Sequence, residues 1–167
     1  MDRVHGDAKM SDALVVFGVT GDLAYKMIFP ALFAMAKRGT LNVPVIGVAA
    51  SQWSLGQLRE RAADSIRKFG GSADHRARRH LLSLFRYVNG DYNDPETFKA
   101  LKKALDNAQR PVHYLAIPPA LFGTVIKGLG AAGLADLFGV NVMLFIWGFV
   151  LLLSGIGAMS WKTFREA

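Results

Sequence analysis

A short glycine turn near the start of the chain carries the residues best suited to chemistry. An apolar run at residues 14–17 leads into Gly18-Val19-Thr20-Gly21, and from Asp22 onwards the apolar residues recur at helical spacing. Glycines lack Cβ atoms, so a phosphate can approach the main chain, and the free amides at the start of the helix attract its negative charge. The pattern therefore predicts a pyrophosphate site, whose expected members are Gly18, Val19, Thr20, Gly21, Asp22 and Leu23.

A turn that merely joins a strand to a helix is the alternative, because Thr20 stands where the motif GxGxxG has its second glycine. Thr20 can nevertheless donate its hydroxyl to a phosphate. Asp22 is better explained as the cap of the following helix than as a catalytic acid, since a carboxylate at that position accepts helix amides.

Composition limits the kinds of protein that this chain can be. Its 167 residues suffice for one ordinary domain, and the 51% of apolar and 20% of charged residues indicate a folded core. The absence of cysteine excludes disulfides, thiolate catalysis and cysteine-ligated metals, and the four histidines show no spacing typical of a metal site. Residues 1–11 form a polar tail without the apolar stretch of a secretory signal.

The net charge of +7 comes largely from a basic cluster between Arg67 and Arg86. Such a cluster can mark binding to nucleic acid, anionic lipid or a phosphorylated substrate. The stretch from Gly70 to His80 has no interleaved aromatic residues, and no nucleic-acid fold signature is present. We therefore expect no nucleic-acid partner and interpret the cluster as a solvated helix face.

Apolar runs alternate with amphipathic segments along residues 12–135. Strands are predicted at residues 13–17, 44–49, 86–88 and 112–117. Helices are predicted at residues 23–37, 54–69, 72–85, 94–107 and 120–129. Ser54 with Gln57, and Asp94 with Pro95, are helix-start signals, whereas Pro30 falls inside the first helix. Because strands joined by helices form right-handed crossovers, the pattern predicts an α/β fold with a doubly wound parallel sheet.

Four landmarks in the sequence occur in the order and at the spacing of a known family. Gly18–Ala24 with Ile28–Phe33 resembles the N-terminal cofactor motif of glucose-6-phosphate dehydrogenases. The other landmarks, in the family's order, are Val45–Ala49, Tyr87–Tyr92 and Tyr114–Pro119. The resemblance covers about Asp12 to Ala135 and implies a Rossmann-like domain that binds NADP, in a cytoplasmic enzyme of the pentose phosphate pathway.

The resemblance also implies where the nicotinamide half of the cofactor lies. Tyr114 and the turn that contains Ala116 and Pro118 come at the carboxyl end of a strand, which is where ligands bind to parallel sheets. These three residues join the predicted cofactor site.

Two positions depart from the family pattern. The corner after the second strand reads Ala49-Ala50-Ser51-Gln52, with no acid to accept a ribose 2′-hydroxyl and with Ala50 in place of the family's arginine. Ser51 or Gln52 can still bond a phosphate, so NADP is favoured over NAD. At the second departure, Met27 replaces a lysine that reaches toward the substrate in relatives, and Lys26 points about 100° away on a helix.

The residues that oxidise a sugar hydroxyl are not apparent in this sequence. That reaction needs a general base and cations for the sugar phosphate, which the family draws largely from a catalytic domain beyond the matched region. Asp94, Asp106 and His113 each have a structural explanation, so no catalytic residue is assigned. We expect glucose 6-phosphate to be a partner only if a catalytic domain is supplied elsewhere, and the chain alone to be an inactive, truncated form.

The composition changes sharply after Ala135. Leu137 to Met159 is a stretch of 23 residues without a charge, long enough to cross a hydrocarbon core as a helix. We predict one continuous apolar helix there, projecting from the sheet within a C-terminal segment of residues 136–167, with membrane contact as a consequence. A buried strand–helix pair and a shifted reading frame after Ala135 are the alternatives.

The resemblance thus predicts the coenzyme-binding part of an enzyme that oxidises glucose 6-phosphate to 6-phosphogluconolactone with NADP. Two other functions remain open from the sequence. One is a non-catalytic nucleotide-binding module held at a membrane, and the other is a vestigial fragment whose cofactor site no longer closes.

Overall fold

The structure, a computed structural model, describes residues 11–71 and 74–134 and the backbone of residues 142–143. Strands and helices alternate as predicted. The strands are β1 (Ala13–Phe17), β2 (Val45–Ala49), β3 (Phe85–Asn89), β4 (Pro111–Leu115) and β5 (Val142–Met143). The helices are α1 (Phe29–Lys37), α2 (Leu55–Phe69), α3 (His75–Leu84), α4 (Pro95–Leu105) and α5 (Phe122–Ala131).

The strands form one parallel sheet in the order β3-β2-β1-β4-β5. β1 lies between β2 and β4, so that Phe17 is in register with Val48 on one side and Leu115 on the other. The chain therefore leaves β1 in one direction and returns on its other side, which makes the carboxyl edge between β1 and β4 a topological switch point. The predicted α/β parallel-sheet fold is confirmed.

Two apolar clusters cover the two faces of the sheet. One cluster packs α1, α2 and α3 onto the sheet through buried side chains such as Phe29, Phe33, Leu58, Leu81 and Phe85. The other packs α4 and α5 onto the opposite face through Phe17, Phe98, Leu101, Val125 and Leu129. Burial on both faces explains why the strands are apolar runs rather than alternating ones.

The first helix adapts to the proline within it. Residues 22–37 are helical, but Ala24–Ile28 is a π-helical turn in which the amide of Phe29 donates to the carbonyl of Ala24, five residues back. Pro30 follows directly and has no amide to donate. The wider turn accommodates the proline without ending the helix.

Two helix starts agree with their sequence signals. Ser54 accepts a bond from the amide of Gln57 while the Gln57 side chain accepts from the amide of Ser54, which is a complete capping box for α2. Asp94 accepts from the amide of Glu96 at the start of α4. These local contacts explain why both helices could be located from the sequence.

The predicted helix over Leu137–Met159 is wrong at Val142 and Met143. Both residues are extended, and they pair in parallel with His113 and Tyr114 of β4, so this part of the segment continues the sheet. The strand interrupts the length that suggested a membrane span, and the other residues of the segment lie outside the described part. Among the described residues, none of the helices is both long and apolar enough to cross a bilayer.

Candidate cofactor site

Gly18 closes the turn at the carboxyl end of β1. Its φ of +78° lies in the left-handed region, and a Cβ at this position would stand 2.2 Å from the carbonyl oxygen of Ala116. Its amide donates to the carbonyl of Val48 at 2.8 Å, and its own carbonyl accepts from the amide of Gly21 at 3.0 Å. Only glycine satisfies both the backbone angle and the close approach, so position 18 ties the ends of β1, β2 and β4 together.

The other predicted members of the turn differ in what they expose. Gly21 is exposed, and a Cβ there would meet only the carbonyl oxygen of Gly18, at 3.2 Å among the described atoms. The Val19 side chain is fully buried against Gly47, so only the backbone of Val19 can contact a ligand. Leu23 is partly exposed beside them. Because Gly21 is exposed and has no Cβ, a phosphate can approach the backbone at the start of the helix.

Asp22 does not take the capping position expected from the sequence. It is itself helical, and its carboxylate pairs with the ammonium of Lys26 at 3.1 Å and with Nη2 of Arg61 at 3.8 Å. The carboxylate is therefore exposed on the helix surface and lies beside two cations.

The structure brings the turn and the corner after β2 into direct contact. The hydroxyls of Thr20 and Ser51 lie 2.9 Å apart, although 31 residues separate them in the sequence. The hydroxyl of Tyr87 donates to the carbonyl of Ser51 at 2.6 Å, and the side-chain Nδ2 of Asn89 donates to Oε1 of Gln52 at 3.2 Å. The predicted site residues Thr20 and Ser51 thus form one polar corner, which hydrogen bonds from β3 hold in place.

The third side of the site is the loop after β4. The amide of Ala116 donates to the carbonyl of Phe17 at 2.9 Å, which holds this loop against the glycine turn. Pro118 is exposed and precedes a short 3₁₀ turn that leads into α5. Tyr114 lies within β4, half-buried against the cluster formed by α1, α2 and α3, and burial raises the pKa of its phenol.

Tyr92 is a supporting residue of the turn that sequence reasoning missed. Its hydroxyl accepts from the amide of Gly18 at 2.9 Å and donates to the carbonyl of Val48 at 3.1 Å. Its ring meets Phe17 edge-on, at 5.7 Å between centroids, and burial raises the pKa of its phenol. The only sequence signal was its place in Tyr87–Tyr92, a landmark that gave it no role.

The acid–base candidates have structural roles. His113 is buried next to Phe17, burial lowers its pKa to about 4, and its Nε2 has no hydrogen-bond partner among the described residues. Asp94 caps α4, and Asp106 ends it with a φ of +56°. Within residues 11–71 and 74–134, no group of three or more potential ligands is placed to hold a metal ion.

Comparison with known proteins gives the family. A family model described as the glucose-6-phosphate dehydrogenase NAD-binding domain matches residues 15–143. The chain belongs to the glucose-6-phosphate dehydrogenase family. The match continues past Ala135 and includes β5, so the likeness extends further than the sequence landmarks indicated.

Individual relatives show how much of the family this chain spans. A Mycobacterium bovis glucose-6-phosphate 1-dehydrogenase 1 is 37% identical over 133 residues, which are 80% of this chain and 28% of the relative. The crystal structure of the Mycobacterium avium glucose-6-phosphate 1-dehydrogenase is 38% identical and superposes with a TM-score of 0.72, covering 76% of this chain and 28% of that one. A structure of glucose-6-phosphate dehydrogenase with its substrate glucose 6-phosphate superposes with a TM-score of 0.67 at 32% identity. The match covers 77% of this chain and 29% of that one. The chain thus spans little more than a quarter of these relatives.

Proposed function

We propose that this chain binds NADP as the coenzyme-binding domain of a glucose-6-phosphate dehydrogenase. The observation that carries the proposal is the closed glycine turn: Gly18 fits between β1 and the carbonyl of Ala116 only without a Cβ, while Gly21 is exposed and an added Cβ there would lie 3.2 Å from the Gly18 carbonyl oxygen. This arrangement suits a dinucleotide pyrophosphate, whose charge would meet the amides at the helix start. The backbone of Gly18 to Leu23 and the hydroxyl of Thr20 would hold it.

The corner after β2 supports NADP over NAD. An NAD site places an acid here to accept bonds from the ribose 2′-hydroxyl, whereas residues 49–52 contain no acid. The hydroxyl pair of Thr20 and Ser51 offers donors to a phosphate instead. The loop that contains Ala116 and Pro118, together with Tyr114, would face the nicotinamide half.

Within the whole protein, we propose oxidation of glucose 6-phosphate to 6-phosphogluconolactone. Bound NADP would supply the hydride acceptor for that reaction. The residues described here bind and orient the cofactor, and none of them is assigned as the base that removes the sugar proton. We also propose a cytoplasmic location, since an Arabidopsis thaliana relative that is 33% identical over 128 residues is named as a cytoplasmic enzyme.

We further propose that the dinucleotide-binding domain runs from about Asp12 through at least Met143. The pairing of Val142–Met143 with β4 supports this boundary, because a strand hydrogen-bonded into a sheet belongs to the folding unit of that sheet. A boundary at Ala135 would remove that edge strand.

Calorimetric titration of the purified chain with NADP and with NAD tests the cofactor assignment. Gly21→Asp places a carboxylate where the phosphate should lie, and we expect it to abolish binding. Gly130→Asp is the matched control, since that glycine lies at the far end of α5 with no described atom within 4 Å of an added Cβ. Tighter binding of NAD, or equal binding by both variants, would contradict the proposal.

Turnover is the second measurement. With glucose 6-phosphate and NADP, we expect the chain alone to bind the cofactor without reducing it. Appearance of NADPH at the rate of a full enzyme would show that a base within these residues has been overlooked.

A further inference from the structure

Arg61 of α2 places a guanidinium between the two segments that frame the corner after β2. Its Cζ lies 4.4 Å from the ring centroid of Tyr25 and 5.7 Å from that of Trp53. Tyr25 belongs to the first turns after the glycine turn, and Trp53 follows the Ser51 corner directly. The cation is therefore held by two aromatic rings on the side of the site where a dinucleotide fold receives its adenosine ribose.

The guanidinium is incompletely paired. Nε of Arg61 is buried and has no hydrogen-bond partner among the described residues. Its contact with Asp22 is long, at 3.8 Å, and that carboxylate has a nearer partner in Lys26 at 3.1 Å. The 32% of the Arg61 side chain that is open to solvent belongs to its other atoms, and an incoming anion would approach it there. An arginine with spare donors is well suited to a phosphate, which accepts several of them at once.

The neighbouring cations of α2 are bonded to other groups. Nε of Arg59 donates to the carbonyl of Leu82 at 2.9 Å, which turns that side chain toward α3. Arg67 and Lys68 pair with Asp64, and Nζ of Lys68 also lies 5.6 Å from the ring centroid of Tyr25. Of these cations on α2, Arg61 alone lies beside both Trp53 and the start of the helix.

The corner itself lacks a charge to match a 2′-phosphate. Ala50, Ser51 and Gln52 are all neutral. A phosphate bound there by hydroxyl and amide groups alone would be desolvated without a counter-charge.

We propose that Arg61 binds the 2′-phosphate of NADP and so supplies the cation that residues 49–52 lack. Selectivity for NADP over NAD is then set from the second turn of α2 instead of from the loop after β2. The inference rests on the proposed function, since it assigns one residue of the same cofactor site.

The test compares ligands that differ only in the 2′-phosphate. Affinities are measured by calorimetry for NADP against NAD, and for 2′,5′-ADP against 5′-AMP. Arg61→Gln is expected to weaken NADP and 2′,5′-ADP by about 10- to 100-fold and to leave NAD and 5′-AMP unchanged. Arg61→Lys keeps the charge, so its affinity for NADP and 2′,5′-ADP should lie between those of the wild type and Arg61→Gln. Arg59→Gln, two residues away, should bind all four ligands as the wild type does.

A rescue variant separates a direct contact from a packing effect. Adding Ala50→Arg to Arg61→Gln returns a cation to the corner and should restore affinity for the two 2′-phosphate ligands. Equal losses for NADP and NAD in Arg61→Gln would make Arg61 a structural residue and overturn the inference. Unchanged NADP affinity in Arg61→Gln would overturn it as well, while leaving the proposed function intact. If the wild type binds neither NADP nor NAD, the proposed function fails and this assignment fails with it.

Discussion

The hydroxyl of Tyr92 lies 2.9 Å from the amide nitrogen of Gly18, across 74 residues of sequence. The same hydroxyl donates to the carbonyl of Val48, so one phenol joins the glycine turn to the end of β2. The turn that would carry a pyrophosphate is therefore held in place by the loop after β3, and the shape of the site depends on a residue that need not touch the ligand.

Replacing Tyr92 with phenylalanine should loosen this turn. The change removes both hydrogen bonds and leaves the ring packed against Phe17, so we expect a loss of about 1 kcal/mol in unfolding free energy. Affinity for NADP and NAD should fall by a similar factor, because the pyrophosphate is common to both. Urea denaturation and calorimetry measure the two effects. A selective loss of NADP affinity alone would show that the phenol acts on the 2′-phosphate instead.

Gly18→Ala should be among the most damaging single changes in the described fold. It combines a left-handed φ with a Cβ that would stand 2.2 Å from the Ala116 carbonyl, and we expect a loss of at least about 3 kcal/mol. Gly39→Ala is the matched control, because Gly39 has a φ of +70° but no described atom near an added Cβ. The unfolding free energy of this control should fall by only about 1–2 kcal/mol, which is the cost of a left-handed φ for alanine. Similar losses in the two variants, measured by urea denaturation, would mean that the β1–β4 contact relaxes freely.

His113 should make the fold sensitive to mild acid. Burial lowers its pKa from 6.5 to about 4, so below pH 6.5 the unfolded chain takes up a proton that the folded chain excludes. The stability contributed by neutral His113 is fully present above pH 6.5. It is lost progressively as the pH falls toward 4, by about 3 kcal/mol in total. Unfolding free energies measured across this range should show the slope, and His113→Leu should reduce it. His75→Leu, at an exposed position, should retain it.

Ser54→Ala should weaken the start of α2. It removes one bond of the capping box, which is worth about 1 kcal/mol of stability. Ser83→Ala, at an exposed position in α3, serves as the control and should change the unfolding free energy by less than about 0.5 kcal/mol. Equal effects would mean that the cap contributes no more than an ordinary surface hydroxyl.

The sequence by itself determined the alternation of strands and helices and therefore the parallel fold. Signals such as the capping box of Ser54 and Gln57 act over three or four residues, so they can be recognised in the sequence without knowledge of the tertiary structure. The glycine turn could be located for the same reason, because the passage of a strand into a helix is a local pattern, although the close approach of Ala116 to Gly18 is visible only in the structure.

Only the tertiary structure decided the state of Val142 and Met143. An uninterrupted apolar segment fits a membrane helix, a buried helix or a buried strand equally well, since hydrophobicity without periodicity does not distinguish them. Hydrogen bonds to β4 make these two residues a strand. That outcome depends on an unpaired edge left by a segment some 30 residues earlier, which no local pattern records.

Two members of the candidate site could be identified only from the tertiary structure. Tyr92 and Arg61 are unremarkable in the sequence, where one follows a strand and the other lies within a basic amphipathic helix. Tyr92 reaches Gly18 because β3 pairs with β2, and Arg61 reaches Tyr25 because α2 packs beside the first helix. Local rules identify a turn that can bind phosphate, but the distances between elements decide which side chains support it and which cation lies within reach.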